Sequence, residues 1–267
     1  MKIRGIDYNV EVISNGEPLV LLHGFTGCIA NWNHILAEFP QHQLVLIDII
    51  GHGKTESPSD PSRYEMNEVV KDIVEILDTL SINRANILGY SMGGRLALSV
   101  AASFPERVKT LILESSSPGL NTPEERHNRK VSDEKLAEEI LSHGVEKFVQ
   151  RWEEIPLFST QDQLSLETKQ KLRLLRLQNN PVGLANSLIG MGTGSQPSWW
   201  EQLPSIEIPV LLLCGEWDIK FCDIAKNMHK YLPTSYLKEI NHAGHTIHVE
   251  QPRIFGKIVS EFLSQNN

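Results

Sequence analysis

The pentapeptide Gly89-Tyr90-Ser91-Met92-Gly93 holds a serine between two glycines at the spacing of a nucleophile turn. The continuous apolar run at residues 85–88 reads as a buried strand, and residues 96–103 read as a small-residue helix. A chain turning this sharply from strand to helix leaves no room for side chains at the glycine positions. Ser91 would then stand above a sheet, beside a helix N-terminus whose free N–H groups and partial positive charge suit an oxyanion.

A serine hydroxyl needs an imidazole to take its proton, and the imidazole needs a carboxylate to fix its tautomer. Both follow in the chain. Asp218 closes Gly215-Glu216-Trp217-Asp218, directly after the apolar run 210–214, so it sits at a strand's C-terminal end, where α/β sheets gather ligands. His245 closes Asn241-His242-Ala243-Gly244-His245, after a further strand at 235–239. His242 competes for the base and Glu216 for the acid; Gly244 permits a close turn and favours His245. The loop His23-Gly24-Phe25-Thr26-Gly27 offers a second oxyanion donor, so the Phe25 and Met92 N–H groups would converge over Ser91. His23 is expected to pack the loop.

These residues need a frame. Residues 2–13 read as a hairpin with a turn near Asp7, and another turn ends at Asn15-Gly16. Buried strands are expected at 18–22, 44–47, 85–88, 110–113 and 210–213, with helical periodicity at 68–80, 225–231 and 252–263. Strand–helix alternation predicts an α/β architecture: a mostly parallel sheet covered on both faces. The alternation breaks after Glu114, where a Glu-, Arg-, Lys- and Gln-rich stretch shows helical spacing and no convincing strand. Residues 117–205 are therefore expected to form a helical cap inserted into a core of residues 1–116 and 206–267.

Bulk properties exclude some functions. The formal net charge of −8 disfavours nucleic acid or an anionic membrane as the main partner. No apolar run is long enough to span a bilayer, and residues 1–15 lack the apolar core of a signal peptide, so a cytoplasmic location is expected. Cys28, Cys214 and Cys222 are scattered, without Cys-x-x-Cys spacing, which argues against a disulfide framework or a zinc site. Oligomeric state is left open by the sequence. Arg95 lies about one turn into the helix that Ser91 opens, where a cation opposes the helix dipole. Such a charge beside the serine suggests an anion in the pocket; the alternative is a side chain reaching solvent or a carboxylate.

The chain resembles the α/β hydrolases over its whole length. The resemblance rests on His23-Gly24-Phe25, Asp48-x-x-Gly51-His52-Gly53, the serine turn and Gly244-His245; Lys54-Thr55 departs from the small Ser often found after that glycine. A closer resemblance is to the menaquinone-pathway 2-succinyl-6-hydroxy-2,4-cyclohexadiene-1-carboxylate synthases. It is carried by Leu22 to Gly27, Gly89 to Arg95, Ser117-Pro118-Gly119-Leu120, Glu124-Glu125-Arg126 with Arg129, Trp152 before Pro156-Leu157-Phe158, and Leu175-Arg176-Leu177-Gln178-Asn179. This resemblance implies Tyr90, Arg95, Arg129, Trp152 and Arg176 as substrate-binding positions, with Arg126 and Arg173 as alternatives to Arg129 and Arg176. It implies a small tricarboxylate substrate, matched by convergent arginines, and no metal or organic cofactor. The implied reaction is a lyase step: proton removal α to a succinyl ketone, with expulsion of pyruvate. A carboxylesterase or C–C bond hydrolase using the same three residues is the first alternative, and a non-catalytic binding member of the fold is the second.

Overall fold

The structure, a computed structural model, describes residues 1–266. Seven strands form the main sheet, in the order β3-β5-β4-β6-β7-β8-β9. They are β3 (Val10–Ile13), β4 (Glu17–Leu22), β5 (His42–Ile47), β6 (Ala85–Tyr90), β7 (Val108–Glu114), β8 (Val210–Gly215) and β9 (Ser235–Ile240). All neighbours run parallel except β3, which pairs antiparallel with β5 at the edge. Alternation sorts the apolar residues: Val20 and Leu22 of β4 enter one core cluster, Leu19 and Leu21 the other.

The first cluster lies under α1 (Met66–Thr79) and α2 (Met92–Ser103), with Met228 of α6 (Ile219–Tyr231) at its margin. On α1 the buried set Val69, Val70, Ile73, Ile76 and Leu77 follows the helical repeat. The second cluster joins Trp32, Ile35 and Phe39 to Phe255, Val259, Phe262 and Leu263 of α8 (Pro252–Gln265). A one-turn helix, α7 (Ile247–Glu250), precedes α8.

The N-terminal hairpin differs from expectation. Its turn lies at Arg4-Gly5, both at positive φ, between two-residue strands β1 (Lys2–Ile3) and β2 (Ile6–Asp7), rather than near Asp7. Val10–Ile13 leaves that hairpin and joins the main sheet instead, with Val10 opposite Ile47. Alternation marked these residues as extended but carried no information on the partner strand.

Between β7 and β8 the chain is helical: α3 (Pro123–Glu153), α4 (Leu166–Leu177) and α5 (Pro181–Met191). A reciprocal capping box between Thr122 and Glu125 starts α3. Gly144, at φ 81°, breaks that helix into two arms. Ala137, Ile140, Phe148 and Val149 of α3 pack on Leu184, Ala185 and Leu188 of α5 as a third apolar cluster. Among the described residues, no helix is long and apolar enough to cross a membrane.

Candidate active site

The turn between β6 and α2 carries Ser91 at φ 51° and ψ −107°, a region a non-glycine residue enters only under constraint. Close packing supplies the constraint. A Cβ on Gly93 would overlap the carbonyl oxygen of Leu22, and one on Gly89 would overlap that of Gly93. The Ser91 N–H donates to the carbonyl of Glu114 at 2.8 Å, and the Ser91 carbonyl accepts from Arg95 N–H at 3.0 Å.

Three side chains meet across the C-terminal edge of the sheet. His245 Nε2 lies 3.0 Å from Ser91 Oγ, and His245 Nδ1 lies 2.6 Å from Asp218 Oδ2. An ionised carboxylate can only accept, so Nδ1–H donates to Asp218 and Nε2 is left to accept from the serine hydroxyl. Asp218 caps α6, its Oδ1 accepting from Phe221 N–H at 3.4 Å. The His245 ring is nearly excluded from water and packs between Phe221 and Tyr90, with ring centroids 4.6 and 5.5 Å away. The loop around it is held by Glu250, whose carboxylate accepts Gly244 N–H at 2.6 Å and Thr246 N–H at 3.1 Å. The competing pair lies elsewhere: His242 and Glu216 are exposed and joined to each other, His242 N–H donating to Glu216 Oε2 at 3.0 Å.

Phe25 lies in the loop after β4, and Met92 opens α2, where a first-turn N–H has no intrahelical acceptor. Gly24 lies against the Tyr90 ring so closely that a Cβ there would come within 2.6 Å of it. His23 is a loop-packing residue: its Nδ1–H donates to Gly24 O at 2.8 Å and its Nε2 accepts Ile49 N–H at 3.0 Å. Burial pushes the His23 imidazole below its ordinary value, and it pushes His52 down to about 3, so both stay neutral.

A small cavity opens beside this edge, with Gly24, Phe25, Tyr90, Phe158, Gln161 and Arg176 on its walls. Arg176 stacks over the Phe158 ring at 5.2 Å and donates to Gln161 Oε1 and Glu153 Oε1, each at 3.1 Å. Gln161 Nε2–H donates to Thr246 Oγ1 at 2.9 Å, and the Tyr90 hydroxyl lies 3.1 Å from the same oxygen. Tyr90 and Arg176 thus face the cavity, as does Phe25.

His23 also lines it, whereas Arg95, Arg126, Arg129, Trp152 and Arg173 lie off its walls. Arg95 donates to Met191 O at 2.5 Å and to Gln196 Oε1, with no carboxylate within 4.0 Å among the described residues. Loss of water, and next the positive charge of Arg129, push Arg95 down to about 10. Arg129 pairs with Asp133 at 2.7 Å and is partly exposed, while Arg126 donates to Leu120 O and Asn121 O. Arg173 pairs with Glu153 at 2.5 Å. Trp152 packs on Phe25, Phe148 and Phe158, its Nε1–H buried without a hydrogen-bond partner among the described residues. Gln161 and Thr246 had no motif to announce them, and Phe158 stood in a motif without a role of its own. Cys28, Cys214 and Cys222 are buried; Cys214 and Cys222 approach Glu239, but burial raises both thiols and keeps them protonated at neutral pH.

Known proteins resemble this chain over nearly its whole length. Residues 17–252 match the α/β hydrolase fold family. A Bacillus subtilis (strain 168) protein, provisionally named 2-succinyl-6-hydroxy-2,4-cyclohexadiene-1-carboxylate synthase, is 51% identical over 262 residues, covering 97% of this chain and 96% of its own. The Photorhabdus laumondii protein of that name, unqualified, is 34% identical over 95% of this chain and 88% of its own. Among solved structures, MenH from S. aureus superposes with a TM-score of 0.92 at 34% identity, covering 97% of this chain and 98% of that one. This chain therefore belongs to the α/β-hydrolase fold family as an enzyme of that fold, within the group of 2-succinyl-6-hydroxy-2,4-cyclohexadiene-1-carboxylate synthases.

Proposed function

We propose that this chain is a lyase of menaquinone biosynthesis, converting 2-succinyl-5-enolpyruvyl-6-hydroxy-3-cyclohexene-1-carboxylate to 2-succinyl-6-hydroxy-2,4-cyclohexadiene-1-carboxylate and pyruvate. The observation that carries this reading is the Ser91–His245–Asp218 hydrogen-bond chain, ending beside a cavity walled by an arginine, in a chain whose relatives bear that name. The Ser91–His245 pair takes the ring proton α to the succinyl ketone, with Asp218 holding the imidazole oriented. The electron pair moves onto the ketone oxygen, where the Phe25 and Met92 N–H groups stabilise the enolate. As the carbonyl re-forms, the pair passes through the ring double bond and breaks the C–O bond to the enolpyruvyl group, which leaves and is protonated to pyruvate. Atoms and charge balance without a redox step, so no cofactor is needed.

Tyr90 and Arg176, on the cavity wall, serve as ring- and carboxylate-binding residues; Arg95, Arg129 and Trp152, off that wall, join the set only by turning toward the bound substrate. The guanidinium charges act locally, since residues 117–205, read as a cap over residues 1–116 and 206–267, hold 12 acidic against 10 basic side chains in a chain of net charge −8. The location is taken as the cytoplasm.

The test is continuous measurement of pyruvate release from the enolpyruvyl precursor. Wild type should exceed spontaneous decay, and Ser91→Ala and Asp218→Asn should each lose about 10³- to 10⁴-fold in rate. Wild-type release no faster than decay, with turnover of simple aryl esters instead, would replace the lyase with an acyl hydrolase.

A further inference from the structure

We propose that Glu114 is a positioning residue for the Ser91–His245 pair, seating the serine through its backbone and the histidine's segment through its carboxylate. The proposal rests on the reading of that pair given above. Glu114 is the last residue of β7, opposite Tyr90 in the register of the neighbouring strand. Its carbonyl therefore falls where the serine turn begins, and it accepts the Ser91 N–H at 2.8 Å.

The side chain points to the other partner. Its Oε1 accepts the backbone N–H of His248 at 2.9 Å, and the His248 Nδ1–H lies 2.9 and 2.8 Å from its two oxygens. Neither side chain reaches water: Glu114 is 0% and His248 2% exposed. The His248 ring packs on Trp32 at 4.6 Å and Tyr90 at 4.8 Å, and the His248 carbonyl accepts His34 Nε2–H at 2.6 Å. His248 lies three residues beyond His245, in the single turn of α7.

A carboxylate at the end of an apolar strand is a poor choice for stability alone, since losing its water costs what the pairing returns. What the carboxylate gains is geometry. Glu250 fixes the N–H groups on either side of His245, and Glu114 fixes the same segment one turn later. Of the two, only Glu114 also holds Ser91. The 3.0 Å separation of His245 Nε2 and Ser91 Oγ is thus spanned by one residue with a bond to each side.

The experiment reads Ser91 reactivity directly, by the rate of fluorophosphonate labelling per folded molecule, alongside kcat and KM for pyruvate release. Glu114→Gln keeps the volume and one acceptor but removes the charge and the paired oxygens. It should slow labelling and kcat together by about 10-fold, with KM changed less than about twofold, the signature of a group that acts on the reacting pair rather than on substrate binding. His248→Phe keeps the ring stack and loses both ring bonds; it should reproduce the effect, and the double variant should lose little more than either single one. If Glu114→Gln does not fold, His248→Phe carries the same comparison. A lower melting temperature with wild-type labelling and kcat, or losses that simply multiply in the double variant, would overturn the proposal. Unlabelled wild-type Ser91 would overturn the reading of the pair itself, and this proposal with it.

Discussion

Arg176 and Gln161 are joined by a 3.1 Å hydrogen bond from Nη2 to Oε1, and the amide end of the same glutamine donates to Thr246, the residue after His245. One uncharged side chain thus links the arginine on the cavity wall to the loop of the proposed base. Gln161→Leu keeps the bulk and removes both bonds. KM for the enolpyruvyl substrate should rise about 10-fold, in keeping with loss of a bond orienting a charged group. An unchanged KM in steady-state pyruvate release would show that Arg176 finds its position without help.

Arg95 makes a different prediction. A partly buried guanidinium that, among the described residues, donates to a carbonyl and an amide and pairs with no carboxylate is poorly compensated. Arg95→Met should leave the melting temperature unchanged or raised. The same variant should raise KM by about 10- to 100-fold if a substrate carboxylate is the missing partner. A fall in stability with unaltered KM would assign the arginine a structural role.

Glu250 should set an acid limb. Burial first, opposed by the Gly244 and Thr246 N–H groups, holds its carboxyl above the ordinary 4.5. With the folded value raised, this group favours folding most below about pH 4.5, and that contribution is lost as pH rises through the folded value. Activity runs the other way. Protonation weakens the acceptor that fixes the loop of His245, so kcat should fall on acidification at a higher pH than solvent-exposed glutamates titrate. In profiles between about pH 4 and 8, Glu250→Gln should lower the plateau about 10-fold and remove this limb. A limb that survives the substitution belongs to another group.

Gly93→Ala tests the turn. Its new methyl group would be driven into the Leu22 carbonyl, with no flexible side chain to give way. We expect about 3 kcal/mol of lost stability or an insoluble product, and no Ser91 labelling in whatever folds. Normal thermal unfolding of Gly93→Ala would mean that the strand β4 can retreat.

Much of this site could be read before any coordinates. Ser91 and Asp218 each follow a short apolar run, and glycines near Ser91 and His245 mark close turns. Gly244, which permits a close turn, is what favours His245 over His242, and it is the 245 imidazole that lies 3.0 Å from Ser91 Oγ. The helices between β7 and β8 were less legible. Arg173 and Arg176 share a helix side, yet Glu153, from a different helix, binds both, and only Arg176 reaches the cavity. Helical spacing describes one helix at a time and carries nothing about what packs across from it. Val10–Ile13 exposes the same limit, since alternation gives the faces of a strand and not its neighbour. Glu114 was visible only as the point where an apolar run stops; its two partners come from chain segments before and long after it.

Ser91, Asp218 and His245 follow strands β6, β8 and β9, and Glu114 ends β7 between them, all at the C-terminal edge of the parallel strands. Their mutual distances are consequently a readout of backbone register. Slippage of β8 by a single residue would carry Asp218 more than 3 Å along the strand direction, well beyond reach of the imidazole. Heat or denaturant cannot loosen that stack while sparing turnover, so loss of turnover and separation of the strands should occur as one cooperative event.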